Sequence, residues 1–168
     1  MVVRRANISD APGIARIHVE TWRAAYRGLM PDDVLEALSV ERRAKFWREH
    51  LSQSPGTAFV AEAGGQVAGF CDLVPSRDED AGPDAVAEIA AIYIDRQFWR
   101  QGAGRALCQC ALAEARRKGC TRVTLWVLAG NLPAKHFYAA MGFQPDGTSK
   151  MHQIGGAGLP HVRLSRPL

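Results

Sequence analysis

The sequence predicts an α/β (α+β) fold, a mixed central β-sheet flanked by helices in the order β-α-α-β-β-β-α-β-α-β-β. Three observations predict it. Apolar side chains recur at helical spacing from Ile14 to Ala25 and from Leu107 to Ala115. Apolar runs of strand length cover Thr57 to Val74, Ala85 to Ile94 and Thr121 to Leu128. The 168 residues, 47% apolar and 23% charged, suit one domain (1–168) around a single core.

Val2 to Ala6 reads as an edge or entry strand. Ser9-Asp10 signals an N-cap, with Pro12 in the first helical turn. That helix runs to about Tyr26, turns Ile14, Ile17, His18, Trp22 and Ala25 inward, and ends at Gly28. Pro31 to Leu38 and Val40 to Leu51 form a second helical region, broken near Ser39. Thr57 to Ala63 and Gln66 to Val74 pair through a Gly64-Gly65 hairpin turn. Arg77 to Asp84 reads as an acidic, solvated and mobile loop. Ala85 to Ile94 is a strand expected to be buried on both faces. The helix after it carries Leu107, Ala111 and Ala115 inward and closes at Gly119. Thr121 to Leu128 is a central strand rich in β-branched residues. Asn131 to Met141 is a short helix ending at Gly142. A final strand pair follows Phe143, the last strand lying near His161 to Ser165, and Ile154 to Gly158 reads as a flexible glycine-rich loop.

Composition narrows the function. The 21 basic and 17 acidic side chains leave a net +4, which suits an anionic ligand. The basic residues form no stripe, so no nucleic-acid partner is expected. No apolar run nears the roughly 20 residues a membrane span needs, and no signal peptide follows Met1, so the expectation is a cytoplasmic protein with no membrane partner. Cys71, Cys108, Cys110 and Cys120 lack disulfide or zinc spacing, and the five histidines lack ligand spacing; no metal is expected.

The richest segment runs from Ile92 to Leu107: a strand, a glycine-bearing loop and the first turn of a helix. Free backbone N–H groups and the positive end of the helix dipole make such a junction a phosphate site. Gly102 and Gly104 let the backbone approach an anion, and Arg100 and Arg105 add charge. The loop has neither Gly-x-x-x-x-Gly-Lys-Ser/Thr nor G-x-G-x-x-G spacing, so P-loop and dinucleotide folds are excluded.

Two blocks resemble the GNAT N-acetyltransferase superfamily: Glu88–Ile94 through Gly102–Leu107, and Asn131–Phe143, which is similar to that family's N-x-x-A-x-x-F-Y-x-x-x-G-F. Trp99 stands where the family usually has Gln or Arg, and Arg96 where proline is common. The resemblance implies a sheet of about seven strands and about four helices. It implies acetyl-CoA as co-substrate, a primary amine acceptor on a small molecule or a peptide, and direct attack without an acyl-enzyme; it also allows a homodimer. Ile92, Tyr93 and Ile94 would pair with the pantetheine arm. The amides of Arg100, Gln101, Gly102, Ala103, Gly104 and Arg105 would hold the pyrophosphate, and Asn131 would touch the CoA arm while capping its helix. Glu88 is the implied general base, acting through water, and Tyr138 the general acid. Trp22 and Tyr26 are either core packing or an aromatic wall of the acceptor pocket, which the resemblance places at roughly residues 22–38 and 148–161, and His18 either a satisfied core histidine or a proton carrier. Cys108 carries little weight as a nucleophile. A non-catalytic acyl-CoA sensor is the alternative reading.

Overall fold

The computed structural model describes residues 1–54, 57–82, 85–154 and 156–168. Its elements are β1 (Val2–Arg5), α1 (Ala11–Ala25), α2 (Asp32–Glu36), α3 (Val40–Gln53), β2 (Ala58–Ala63), β3 (Gln66–Pro75), β4 (Val86–Ile94), α4 (Ala103–Arg117), β5 (Arg122–Leu128), α5 (Leu132–Ala140), β6 (Gln144–Ile154) and β7 (Ala157–Pro167). The strands form one mixed seven-stranded sheet in the order β1-β2-β3-β4-β5-β7-β6. Five α-helices among the described residues flank it, the region broken at Ser39 counting as two, α2 and α3. At that break the Ser39 hydroxyl accepts the Arg42 N–H at 3.3 Å and starts α3. None of the described helices is long and apolar enough to cross a membrane.

The two faces of the sheet are covered separately. Leu107, Cys108, Ala111 and Ala115 of α4 pack on Leu73, Ile89, Val123 and Leu125. Ile14 and Ile17 of α1 join Trp47 and Leu51 of α3 against Val60 and Phe70 on the other face. Asp10 stands at the N-cap of α1, as expected, with Pro12 in the first turn, but its side chain makes no cap bond there. A 3-10 turn, Ile8–Asp10, precedes the helix; Asn7 caps that turn by accepting the Ser9 N–H at 2.9 Å, while Asp10 accepts the Asn7 N–H and a two-pronged contact from Arg4 at 2.8 and 2.9 Å.

β4 is buried only over Val86–Ile89; from Ala90 onward it is exposed or half-buried. Topology supplies the reason. β4 and β5 run parallel and pair only at Val86–Arg122, Ala87–Val123 and Glu88–Thr124. Leu73 then faces Ile89 while Asp72 faces Ala91, so Ala90 is the extra residue of a β-bulge. Beyond Thr124, β5 continues along β7, from Leu125–Leu164 to Leu128–His161. The two central strands diverge, and one edge of β4 opens into a cleft.

The acidic segment is not a free loop. Arg163 on β7 is 5% exposed. Its guanidinium reaches Asp80 at 2.6 Å through two nitrogens, Asp78 at 3.2 Å and Asp146 at 2.6 Å. The Trp126 indole N–H also donates to Asp78, at 3.1 Å. On β6 the register slips between Pro145 and Ser149, where Gly147 takes φ +89° and the chain wraps Arg163. Residues 83–84 of the expected loop lie outside the described residues. The glycine-rich Ile154–Gly158 stretch is also not an open loop, since Ile154 pairs directly with Ala157; its Gly155 lies outside the described residues.

Removing Arg163 leaves three carboxylates facing one another. Arg163→Met is expected to cost on the order of 3 kcal/mol in urea unfolding, and adding Asp78→Asn and Asp146→Asn to recover part of that loss. An unchanged unfolding midpoint would refute this role.

Candidate active site

The cleft is built from the loop upward. After β4, Asp95 accepts the Gln97 N–H at 3.1 Å and the Arg16 guanidinium at 2.7 Å, which fixes where the strand ends. The Trp99 indole N–H donates to the Ile94 carbonyl at 2.8 Å. Trp99 therefore holds the loop against the strand end in the place where a Gln or Arg was expected. Arg100 (φ +61°) and Gly102 (φ +88°) are left-handed and turn the chain into α4. No side chain caps α4 at Gly102. The first turn closes with Ala106 N–H to Gly102 carbonyl at 3.0 Å, so the amides of Ala103, Gly104 and Arg105 have no partner within the helix. Arg100 and Arg105 are exposed, and neither meets a carboxylate in an ion pair among the described residues. The junction can hold a phosphate.

Gly104 departs from its expected role. A Cβ there would lie 3.3 Å from Phe137 and 3.7 Å from Ile94, so this glycine lets α5 seat against α4. At Gly102 a Cβ would meet nothing, and the positive φ is what requires glycine. Asn131 caps α5, its side-chain carbonyl accepting the Ala134 N–H at 3.2 Å.

Beside the exposed stretch of β4 lies a cavity of about 170 Å³. Glu88, Ile89, Ala90 and Tyr93 of β4 form one wall, and Trp22, Tyr26 and Met30 a second. Trp126 and Leu128 of β5, Lys150, His152 and Ile154 of β6, and Leu159 and His161 of β7 complete it together with Arg77. Trp22 and Tyr26 meet edge to face at 5.2 Å. They line the cavity and also pack beside Met30, Leu35, Leu128 and Leu159.

Glu88 is 3% exposed and both its oxygens are engaged by Arg77. The Arg77 backbone N–H and Nε each donate to Oε2 at 3.3 Å, and Nη2 donates to Oε1. Tyr138 does not line the cavity. It sits on α5 with Phe137 and Phe143 at ring distances of 5.2 and 6.0 Å. Burial, followed by the neighbouring Tyr26, Cys71 and Cys108, pushes its phenol well above the usual tyrosine range, so it keeps its proton. Tyr26 is the link: it lines the cavity and lies within electrostatic reach of Tyr138.

His18 is buried but not satisfied, because neither ring nitrogen has a partner. Tyr93, Trp22, Phe70 and Trp47 surround it at 5.2, 5.4, 5.9 and 6.2 Å. Burial, helped by the Arg43 charge, pushes its pKa from 6.5 to about 3, so at neutral pH the ring is a neutral imidazole and not the acid that an imidazolium would be. Burial raises the Cys108 thiol to about 11 and the Cys71 thiol well above its usual range, so neither is a thiolate nucleophile. The described residues hold no cluster of three His, Cys, Asp or Glu able to grip a metal. Sequence reasoning missed Arg77 and Trp126, which come from a loop and from β5 and share no local spacing. Lys150, His152 and His161 fall within residues 148–161, the stretch expected beside the acceptor pocket, but none was singled out.

The model of the Acetyltransferase (GNAT) family matches residues 14–143. The chain is 34% identical over 169 residues to an uncharacterized N-acetyltransferase of Bacillus subtilis, YuaI, covering 99% of this chain and 93% of that one. Its fold is similar to the ribosomal-protein-alanine N-acetyltransferase of Brucella melitensis, with a TM-score of 0.79 at 23% identity over the whole of both chains. It is similar too to yncA of Salmonella typhimurium, a putative acetyltransferase solved with its cofactor acetyl-CoA; there the TM-score is 0.75 at 20% identity, over all of this chain and 94% of that one.

The buried His18 ties stability to pH. Its folded pKa lies near 3 and its unfolded value at 6.5, so below 6.5 the unfolded chain takes a proton that the folded chain refuses. Stability therefore falls as pH drops from 6.5 toward 3, by about 1.4 kcal/mol per pH unit from this group. His18→Leu is expected to flatten the fall between pH 6.5 and 4 in denaturant titrations. Equal slopes for both proteins would contradict it.

Proposed function

Because the chain belongs to the Acetyltransferase (GNAT) family, we propose that it moves an acetyl group from acetyl-CoA to a primary amine by direct attack in a ternary complex. The observation that carries this reading is the open edge of β4 beyond Glu88, with the uncapped start of α4 beyond one end and the cavity along its side. The backbone of Ile92, Tyr93 and Ile94 offers the unused strand edge a pantetheine arm needs. The amides from Arg100 to Arg105, with the Arg100 and Arg105 charges, receive the pyrophosphate. A backbone N–H near Ile92 polarises the thioester carbonyl. Asn131 presents its side chain at the start of α5, next to the CoA arm.

The amine enters from the cavity. Glu88, held in place by Arg77, takes up the ammonium proton through a water. Tyr138, which keeps its proton, donates it to the departing thiolate of CoA. A small-molecule amine is favoured over a protein N-terminus or lysine, because a cavity of about 170 Å³ closed in by β6 and β7 suits one small body. The Brucella melitensis protein is named for a ribosomal-protein alanine, but 23% identity carries the fold and not the acceptor.

Tyr138→Phe tests the reading. Acetyl-CoA-dependent thiol release across a panel of amines should drop by about 100-fold or more, with CoA affinity within a few-fold of wild type. Unchanged turnover would remove Tyr138 from the chemistry. CoA binding with no transfer to any amine would identify an acyl-CoA sensor instead.

A further inference from the structure

We propose that the acceptor carries a carboxylate as well as its amine, and that Lys150 holds that carboxylate while the apolar wall takes the rest of the molecule: an apolar α-amino acid is the class that fits. The proposal rests on reading the cavity as the acceptor site of an acetyltransferase.

Arg77, Lys150 and Glu88 line the cavity. Glu88 is committed to Arg77, which leaves Lys150 as the charge in excess. Its ammonium sits 3.8 Å from the centre of the Trp126 ring, on the cavity side of β6. It meets no carboxylate in an ion pair among the described residues, although acids lie close by on the same elements. Those acids are already used. Asp78 accepts from Arg163 and the Trp126 indole, Asp80 from two Arg163 nitrogens, and Asp146 from Arg163 and the Thr148 N–H. A basic residue has thus been left, among the described residues, without a carboxylate partner at the rim of a cavity while three carboxylates nearby serve another cation.

His152 and His161 stand beside Lys150 with rings 5.5 Å apart, and the Lys150 charge helps hold the His161 pKa down, after burial. An anion docking at Lys150 would offset that repulsion. A polyamine would instead bring like charge to Lys150 and Arg77. Trp22, Tyr26, Met30 and Leu128 line the same cavity with mainly apolar and aromatic surface. One anion, one amine and an apolar body complement this lining.

The test uses matched compounds: leucine, methionine and phenylalanine, their α-amides, and the corresponding amines without the carboxyl group. Each is measured by thiol release with acetyl-CoA and by calorimetric binding to the CoA-loaded protein, in wild type and in Lys150→Met. The α-amides have the less basic nitrogen and so more free amine at a given pH, so a preference for the acids cannot come from nucleophile supply. The expected result is an acid-over-amide preference of about tenfold or more in kcat/KM and in affinity, lost in Lys150→Met. Equal or better use or binding of the amides overturns the proposal, as does a preference that survives Lys150→Met, or no binding by any acid. Transfer confined to the amines without a carboxyl group overturns it and leaves the acetyltransferase reading standing. Acid-selective, Lys150-dependent binding without transfer upholds the carboxylate site at Lys150 but removes the acetyltransferase reading, and with it overturns the bound acid's role as acceptor.

Discussion

Everything at the site follows from the divergence of β4 and β5 after three paired residues. A parallel pair that continued would close the sheet and bury its centre. Here the bulge at Ala90 turns β4 while β5 follows β7. The result is an open strand edge in the middle of the sheet, normally a liability for a folded protein. It also provides backbone hydrogen-bonding groups at a fixed spacing for an extended ligand. The start of α4 and the cavity take their positions from the same divergence.

Holding that opening requires rigidity on its far side, and charge supplies it. Arg163 ties the 76–82 segment to β6 and β7. That segment carries Arg77, and Arg77 fixes Glu88 at the point where pairing stops. The chain of contacts therefore runs from a buried cation on β7 to a carboxylate on the cavity wall. It is costly to break at its buried end, because Arg163 without its carboxylates would be an uncompensated charge.

Much of the fold was legible because its signals are local. The Gly64-Gly65 hairpin, the Ser39 break, the α4 stripe and the Asn131 cap all depend on residues within a few positions of one another. The loop from Asp95 to Gly104 was legible in kind, though Gly104 turned out to serve the contact of α5 with α4. The charge network was not legible. Arg163 and Asp80 are 83 positions apart, and a run such as Asp78-Glu79-Asp80 reads as a solvated loop until its cation is known. The β6–β7 wall was legible only as a stretch, residues 148–161, and not in the particular side chains that face the cavity. His18 fell on the expected buried stripe, but an unpaired imidazole among four aromatic rings leaves no mark in sequence.

The central claim is that the opening between β4 and β5 receives the CoA moiety. Amide hydrogen exchange, with and without CoA, tests it most directly. The account predicts new protection at Ile92–Ile94 and at Gly102–Arg105, with β1 and β2 unchanged. CoA binding that protects other segments and leaves both of these stretches exchanging as before would contradict it.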